Sequence, residues 1–153
     1  MKKNKLILAS KSNVRKNILN KNKIICEVIP SNVDEDIVKE SLLKENATPE
    51  VISKNLAELK ANKVSYKFQD NLVLGADSVI DLEGKIISKP KDRDEAIKIL
   101  EALNGKIHWL ISSVCISKNG CMVWNYTDKA KLRMKNLTLN ELKNYLKKIS
   151  DKD

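Results

Sequence analysis

Short apolar runs alternate with amphipathic stretches along the whole chain, each closed by its own turn or cap residues. That alternation constrains the fold more than any other feature, because it calls for strands and helices in succession and hence an α/β domain. Lys5–Ala9 reads as a short buried strand. Asn13–Leu19 reads as a helix that opens after the small polar residues Ser10 and Ser12. Ile24–Ile29 is a second strand, ended by Pro30, and Asp34–Glu45 is a short helix. Thr48-Pro49-Glu50 is an N-cap with proline in the first turn. Its helix is expected to reach about Tyr66, with Ile52, Leu56, Leu59 and Val64 on or near one face.

Downstream the pattern repeats. Asn71–Leu82 is an apolar stretch interrupted by Gly75-Ala76-Asp77-Ser78, and Glu83-Gly84 turns into a strand over Lys85–Ser88. Asp92 and Glu95 form a capping-box pattern for a helix carrying Ile97, Leu100 and Leu103, stopped by Asn104-Gly105. Ile107–Ser117 and Cys121–Met134 read as a β-hairpin joined at Asn119-Gly120. Thr138 and Glu141 cap a last helix to about Ile149. There is no repeat and no linker-like tract. The 153 residues therefore suit one domain with a real core.

Composition removes several classes. A hydrophobic content of 42% excludes a mainly disordered chain, despite 32% charged residues. No apolar run approaches the length of a membrane span, so no membrane partner is expected. The apolar stretch Leu6–Ala9 is too short for the core of a signal peptide. Cys26, Cys115 and Cys121 show no metal-ligand spacing, and an odd number of cysteines fits free thiols in a reducing cytoplasm. With His108 as the one histidine, a His-based zinc site is not expected. The net charge of +9 is carried mostly by lysines spread along the chain. An AT-rich coding sequence produces such a surface; so does selection for anionic ligands.

Four groups of residues could carry chemistry. In Leu8–Arg15 a strand runs into a helix through Ser10 and Ser12, with Arg15 one turn in. Either this is a phosphate cradle at a helix N-terminus, or Ser12 caps the helix and Arg15 is a solvated face residue. Asp77 lies inside an apolar run, where a carboxylate must be paired or bind a cation, and its small neighbours would let a ligand approach. Alternatively the strand ends there and Asp77 is at the surface. The acidic cluster Asn32–Asp36, with Asp34 and Glu35, suits Mg²⁺ or Mn²⁺, or complements a helix dipole. Lys60 in an apolar-leaning helix and Lys89 before Pro90 are either phosphate cations or ordinary members of a lysine-rich surface. Together they supply what phosphoanhydride chemistry needs: an anion cradle, cations, and carboxylates for a metal.

In this order the motifs resemble the Maf family of nucleoside triphosphate pyrophosphatases. The pattern LASxSxxRxxxL is matched by Leu8-Ala9-Ser10, Ser12, Arg15 and Leu19. The acidic pair is matched by Asp34-Glu35, and LAxxKA by Leu56-Ala57 with Lys60-Ala61. A GADxxV-like strand is matched by Gly75-Ala76-Asp77 with Ile80, and the KPxxxxxAxxxLxxLxGxxH run by Lys89-Pro90, Ala96, Leu100, Leu103, Gly105 and His108. Lys16 stands where some members have a second arginine.

The resemblance implies a mixed twisted sheet with flanking helices, in two lobes around a nucleotide-binding cleft, as in inosine triphosphate pyrophosphatases. It implies cleavage between the α- and β-phosphates of a nucleoside triphosphate, giving a monophosphate and pyrophosphate. Removal of unwanted or modified nucleotides and arrest of cell division are the associated roles. By position, Ser10, Ser12, Arg15, Lys60 and Lys89 would bind substrate. Glu35 and Asp77 would hold a divalent cation, Mg²⁺ or Mn²⁺, and Asp77 would act on the attacking water. Two lysines and a metal are expected to lower the Asp77 pKa. Family members continue past the last helix with an EPxxKAGxYxIQG-type segment, so the resemblance implies a single domain over 1–153 that is C-terminally short. The shortened sheet offers a route to a homodimer. A second function on the same fold stays open: a non-catalytic, basic nucleotide- or RNA-binding remnant, with no specific nucleic acid expected.

Overall fold

Parallel pairing of the first three strands sets the frame of the computed structural model, which describes residues 5–149. β1 (Leu6–Leu8) pairs in parallel with β2 (Cys26–Val28) and with β3 (Val73–Leu82), in the register Leu8↔Val28 and Leu8↔Leu74. Between them lie α1 (Asn13–Lys21), α2 (Glu35–Lys44) and α3 (Pro49–Lys67). β4 (Lys85–Ile87) returns antiparallel to β3 through the Glu83-Gly84 turn, from Leu82↔Lys85 to Ile80↔Ile87. α4 (Arg93–Leu103), β5 (Ile107–Lys118), β6 (Cys121–Arg133) and α5 (Leu139–Lys147) follow. The strands are hydrogen-bonded in the order β2-β1-β3-β5-β6, with β4 also pairing β3. The sheet is mixed and open, with flanking helices: the alternating pattern predicts an α/β domain, and the family resemblance implies the mixed sheet.

The contacts divide the chain into two units. One comprises Met1–Ser78 and Ile111–Asp128, the other Val79–Leu110 and Lys129–Asp153. In the first, Ile7, Ala9, Val64 and Val73 form one apolar cluster, and Ala57, Ala61 and Cys115 another. The inner face of α3 is Ile52, Ser53, Leu56, Ala57, Lys60, Ala61, Val64 and Ser65. Leu59, expected on or near that face, is instead exposed, because the buried stripe at spacing three and four passes through Ala57, Lys60 and Ala61. In the second unit, the Arg93 guanidinium of α4 donates to the Leu146 and Ile149 carbonyls at the end of α5, at 2.8 and 3.0 Å.

The caps explain the boundaries. Ser12, Asp34, Thr48, Asp92 and Thr138 each accept a first-turn amide with the side chain. Thr138 and Glu141 form a reciprocal capping box. Glu95 does not complete one with Asp92; its carboxylate accepts the amide of Lys91, one residue earlier, at 2.8 Å. At the β5–β6 turn, Asn119 and Gly120 both have positive φ, and the Gly120 amide donates to Ser65 Oγ at 3.0 Å.

The largest departure from the sequence reading concerns Gly75-Ala76-Asp77-Ser78. β3 does not end or turn there; it runs unbroken from Val73 to Leu82 and carries Asp77 inward. Gly75 serves α3, not a ligand. A Cβ at Gly75 would lie 2.3 Å from the Ala57 carbonyl oxygen and 2.8 Å from the Ala61 nitrogen. The helix backbone fills the space that a side chain would need.

Candidate functional site

The close approach of α3 to β3 brings Lys60 against Asp77. Lys60 Nζ lies 3.0 Å from Asp77 Oδ1 and donates to the Ala76 carbonyl at 3.3 Å. Glu35, the first residue of α2, places Oε1 2.6 Å from the same nitrogen. Asp77 is 4% exposed and Lys60 5%. The Glu35 side chain is more open, at 39%. Asp77 lies between the last β1 pair, at Leu74, and the first β4 pair, at Ile80. The Ala76 carbonyl is met by the lysine ammonium in this stretch.

Two further atoms define Asp77. Its main-chain carbonyl accepts the Ser53 hydroxyl at 3.1 Å, with Ser53 fully buried. Its Oδ2 is buried and has no hydrogen-bond partner among the described residues. Burial pushes the Asp77 carboxyl above the ordinary aspartate range, and the charge of Glu35 adds to the rise. The Lys60 charge and hydrogen bond, and Lys39, act in the opposite direction without overcoming desolvation. The expected fall counted a second lysine and a metal; with Lys60 as the lysine in contact and no metal, the loss of hydration outweighs the attraction.

The second group forms where β1 ends. Ala9 still donates to the Leu74 carbonyl, at 2.9 Å, so the loop from Ser10 leaves the sheet level with the start of the Gly75-Ala76-Asp77 segment. Ser10 is buried and its Oγ accepts both the Ser12 amide at 3.1 Å and Arg15 Nη1 at 3.3 Å. With its lone pairs so engaged, its own O–H is left to donate. Ser12 caps α1 by accepting the Arg15 amide at 3.3 Å. The Asn13 and Val14 amides of the first turn have no intrahelical acceptor. The cap and cradle readings of Ser12 are thus compatible. The Ser10 loop lies just beyond the carboxyl end of β1, the side on which open α/β sheets bind ligands, and Asp77 lies within β3, three residues past its last pair with β1.

Of the residues singled out in the sequence, Glu35, Lys60 and Asp77 converge on one ammonium, and Ser10, Ser12 and Arg15 form one hydrogen-bonded loop. Lys89 is exposed, after β4, in the second unit. Asp34 is a cap, its carboxylate accepting the Ile37 amide at 3.2 Å. Ser53 was not anticipated. The available signal is its spacing: it lies seven residues before Lys60, on the same face of α3.

The donor set fits a hard divalent cation. The buried, unpartnered Asp77 Oδ2 and the Glu35 carboxylate are the oxygen ligands that Mg²⁺ takes when it binds through one or two carboxylates and keeps its other positions for water and phosphate. Among the described residues no larger cluster of His, Cys, Asp or Glu gathers that could hold a metal unaided.

Comparison with known proteins gives the family and the fold. The family described as Maf-like protein matches residues 5–152. A Pelagibacter ubique protein named nucleoside triphosphate pyrophosphatase is 73% identical over 148 residues, covering 97% of this chain and 76% of that protein. A Ruegeria sp. protein of the same name is 37% identical, over 94% of this chain and 72% of its own length. A Rhizobium etli protein named 7-methyl-GTP pyrophosphatase is 33% identical, over 97% and 74%. Among solved structures, the Staphylococcus aureus Ham1 protein superposes with a TM-score of 0.50 at 16% identity, over 84% of this chain and 69% of that one. That likeness is one of fold. The chain belongs to the Maf-like protein family. No described helix is long and apolar enough to cross a membrane.

Proposed function

We propose that this member of the Maf-like family hydrolyses the α–β phosphoanhydride of nucleoside triphosphates, canonical or modified, to a monophosphate and pyrophosphate, assisted by Mg²⁺ or Mn²⁺. The observation that carries this reading is the buried Asp77, with one oxygen held by Lys60 and the other unpartnered, beside a serine–arginine loop at a helix N-terminus. The names of relatives up to 73% identical support it. Removal of unwanted nucleotides, with an effect on cell division, is the cellular role we propose with it.

In this reading Ser10 donates its hydroxyl to a phosphate oxygen, and Arg15 directs its remaining N–H groups to the same polyphosphate. Ser12 shapes the loop, and the Asn13 and Val14 amides face the anion with the positive end of the α1 dipole. Lys60 exchanges carboxylate for phosphate as substrate enters. Lys89 is retained as a phosphate-binding residue on its Lys-Pro motif alone. Glu35 and Asp77 would hold the cation, which when bound neutralises phosphate charge and acidifies a coordinated water. Asp77 Oδ2 orients the attacking water and accepts its proton.

Product analysis on the 153-residue chain tests the proposal, with Mg²⁺ or Mn²⁺, a panel of nucleoside triphosphates, and Asp77→Asn as control. Monophosphate plus pyrophosphate is expected, reduced about 10²-fold or more in the variant. Diphosphate plus orthophosphate would sink the proposed bond cleavage. A folded protein that binds nucleotide and turns over none would leave the non-catalytic alternative standing.

A further inference from the structure

Lys60 already occupies the place of a cation. An ammonium has three donors and no acceptor, and here three oxygens take them: Asp77 Oδ1 at 3.0 Å, Glu35 Oε1 at 2.6 Å and the Ala76 carbonyl at 3.3 Å. Two carboxylates and a carbonyl are also a donor set for a hard divalent ion. We propose that Lys60 is a tethered counter-ion that keeps divalent metal off Asp77 and Glu35 until a polyphosphate draws its ammonium away, so that metal is retained with substrate and not before it. The proposal rests on the metal-assisted reading above and assigns its order of binding.

Charge and burial argue for it. Lys60 sets one positive charge between the two carboxylates, and Lys39 acts on Asp77 in the same sense. A divalent ion entering with the ammonium in place would meet it at contact distance inside a buried site, where repulsion between like charges is poorly screened. Lys60 is almost fully enclosed, and so is Asp77, whereas Glu35 is the partly open member. Exchange can begin at Glu35. The lysine stem is flexible, and an incoming phosphate offers the ammonium new oxygens of higher charge. Its departure releases Asp77 Oδ1 and Glu35 Oε1 together, beside the unpartnered Asp77 Oδ2.

Electron paramagnetic resonance of free Mn²⁺ titrated into the whole chain tests this without turnover. Wild type without nucleotide is expected to bind Mn²⁺ weakly. Lys60→Gln should bind it about tenfold tighter or better, because a unit charge in contact with the ion is gone. Adding Asp77→Asn to Lys60→Gln should abolish the gain. Inorganic pyrophosphate should raise Mn²⁺ retention by wild type beyond what pyrophosphate alone sequesters. Equal affinities for wild type and Lys60→Gln overturn the proposal; so does a gain that survives Asp77→Asn. If Lys60→Gln does not fold, the pyrophosphate arm decides, and unchanged retention overturns it. Hydrolysis with the wrong Mn²⁺ pattern defeats this inference alone. The right pattern without hydrolysis defeats the catalytic reading and leaves this one.

Discussion

The Ser53 hydroxyl donates to the Asp77 main-chain carbonyl at 3.1 Å, while Lys60, seven residues further along α3, holds the Asp77 side chain at 3.0 Å. One helix face therefore fixes both the backbone and the carboxylate of the residue proposed to act on the attacking water. The two contacts have different consequences. Lys60 sets charge, whereas Ser53 sets position.

Ser53→Ala leaves a buried carbonyl short of a partner, which costs about 1–3 kcal/mol of stability. It also frees the strand to shift under the carboxylate. The kcat is expected to fall about tenfold, since sub-ångström misplacement of a reacting group is costly, with KM little changed. Ser53→Thr keeps the hydroxyl and should recover kcat, whatever its extra methyl does to stability. Urea denaturation and steady-state kinetics on both variants check this. A kcat that follows stability alone would reduce Ser53 to a packing residue.

Gly75→Ala attacks the same contact from the strand. The new Cβ would lie 2.3 Å from the Ala57 carbonyl oxygen, 2.8 Å from the Ala61 nitrogen and 2.9 Å from Ala61 Cβ. The first two are backbone atoms and cannot rotate aside, so α3 must move off the sheet. The expected loss is about 3 kcal/mol or more. It is read as a lowered urea midpoint, accompanied by loss of turnover as Lys60 is carried away with the helix. A midpoint close to wild type would mean that α3 packs less closely than this geometry requires.

What the sequence made legible was punctuation. Thr48-Pro49 starts α3, Asn119-Gly120 joins β5 to β6, and Thr138 with Glu141 opens α5, because each acts through neighbours a few residues away. Asp77 was ambiguous for the opposite reason. A carboxylate in an apolar run is tolerable only if something pairs it, and its partner Lys60 is 17 residues away on another element. Lys60 itself was indistinguishable by composition from the many surface lysines until the structure buried it. The family pattern pointed to the Gly75 and Ala57–Ala61 motifs separately. That they are two sides of one helix–strand contact required the fold.

The raised pKa of Asp77 gives a signed prediction. Unfolded, Asp77 ionises in the ordinary aspartate range; folded, desolvation holds its proton to higher pH. Between the two values the folded protein binds more protons than the unfolded one, so raising pH through that window lowers stability. Below both values the penalty is absent, and above the native value it is complete. Asp77→Asn removes this dependence. The stability of the variant relative to wild type should therefore increase as pH rises through the window, on top of any constant offset from altered bonding to Lys60. Metal-free urea titrations across acidic pH measure the slope. A slope of opposite sign would mean that Lys60 outweighs burial.

Arg15 reaches back to Ser10 Oγ with Nη1 at 3.3 Å, which holds its guanidinium at the mouth of the α1 N-terminus. Its other N–H groups stay available for a phosphate. Arg15→Ala removes a charge-assisted contact worth about 1.5–3 kcal/mol, so KM should rise about ten- to a hundredfold. Stability should change little, because Arg15 is only half-buried and Ser12 still caps the helix. Arg15→Lys should restore part of the loss at most: it keeps the charge but cannot bond Ser10 and a phosphate through one rigid fork. Inhibition by inorganic tripolyphosphate separates phosphate binding from base binding, and should weaken in parallel with KM. Unchanged kinetics and inhibition in Arg15→Ala would reduce the arginine to a surface residue and leave the anion site to Ser10, the helix amides and Lys60.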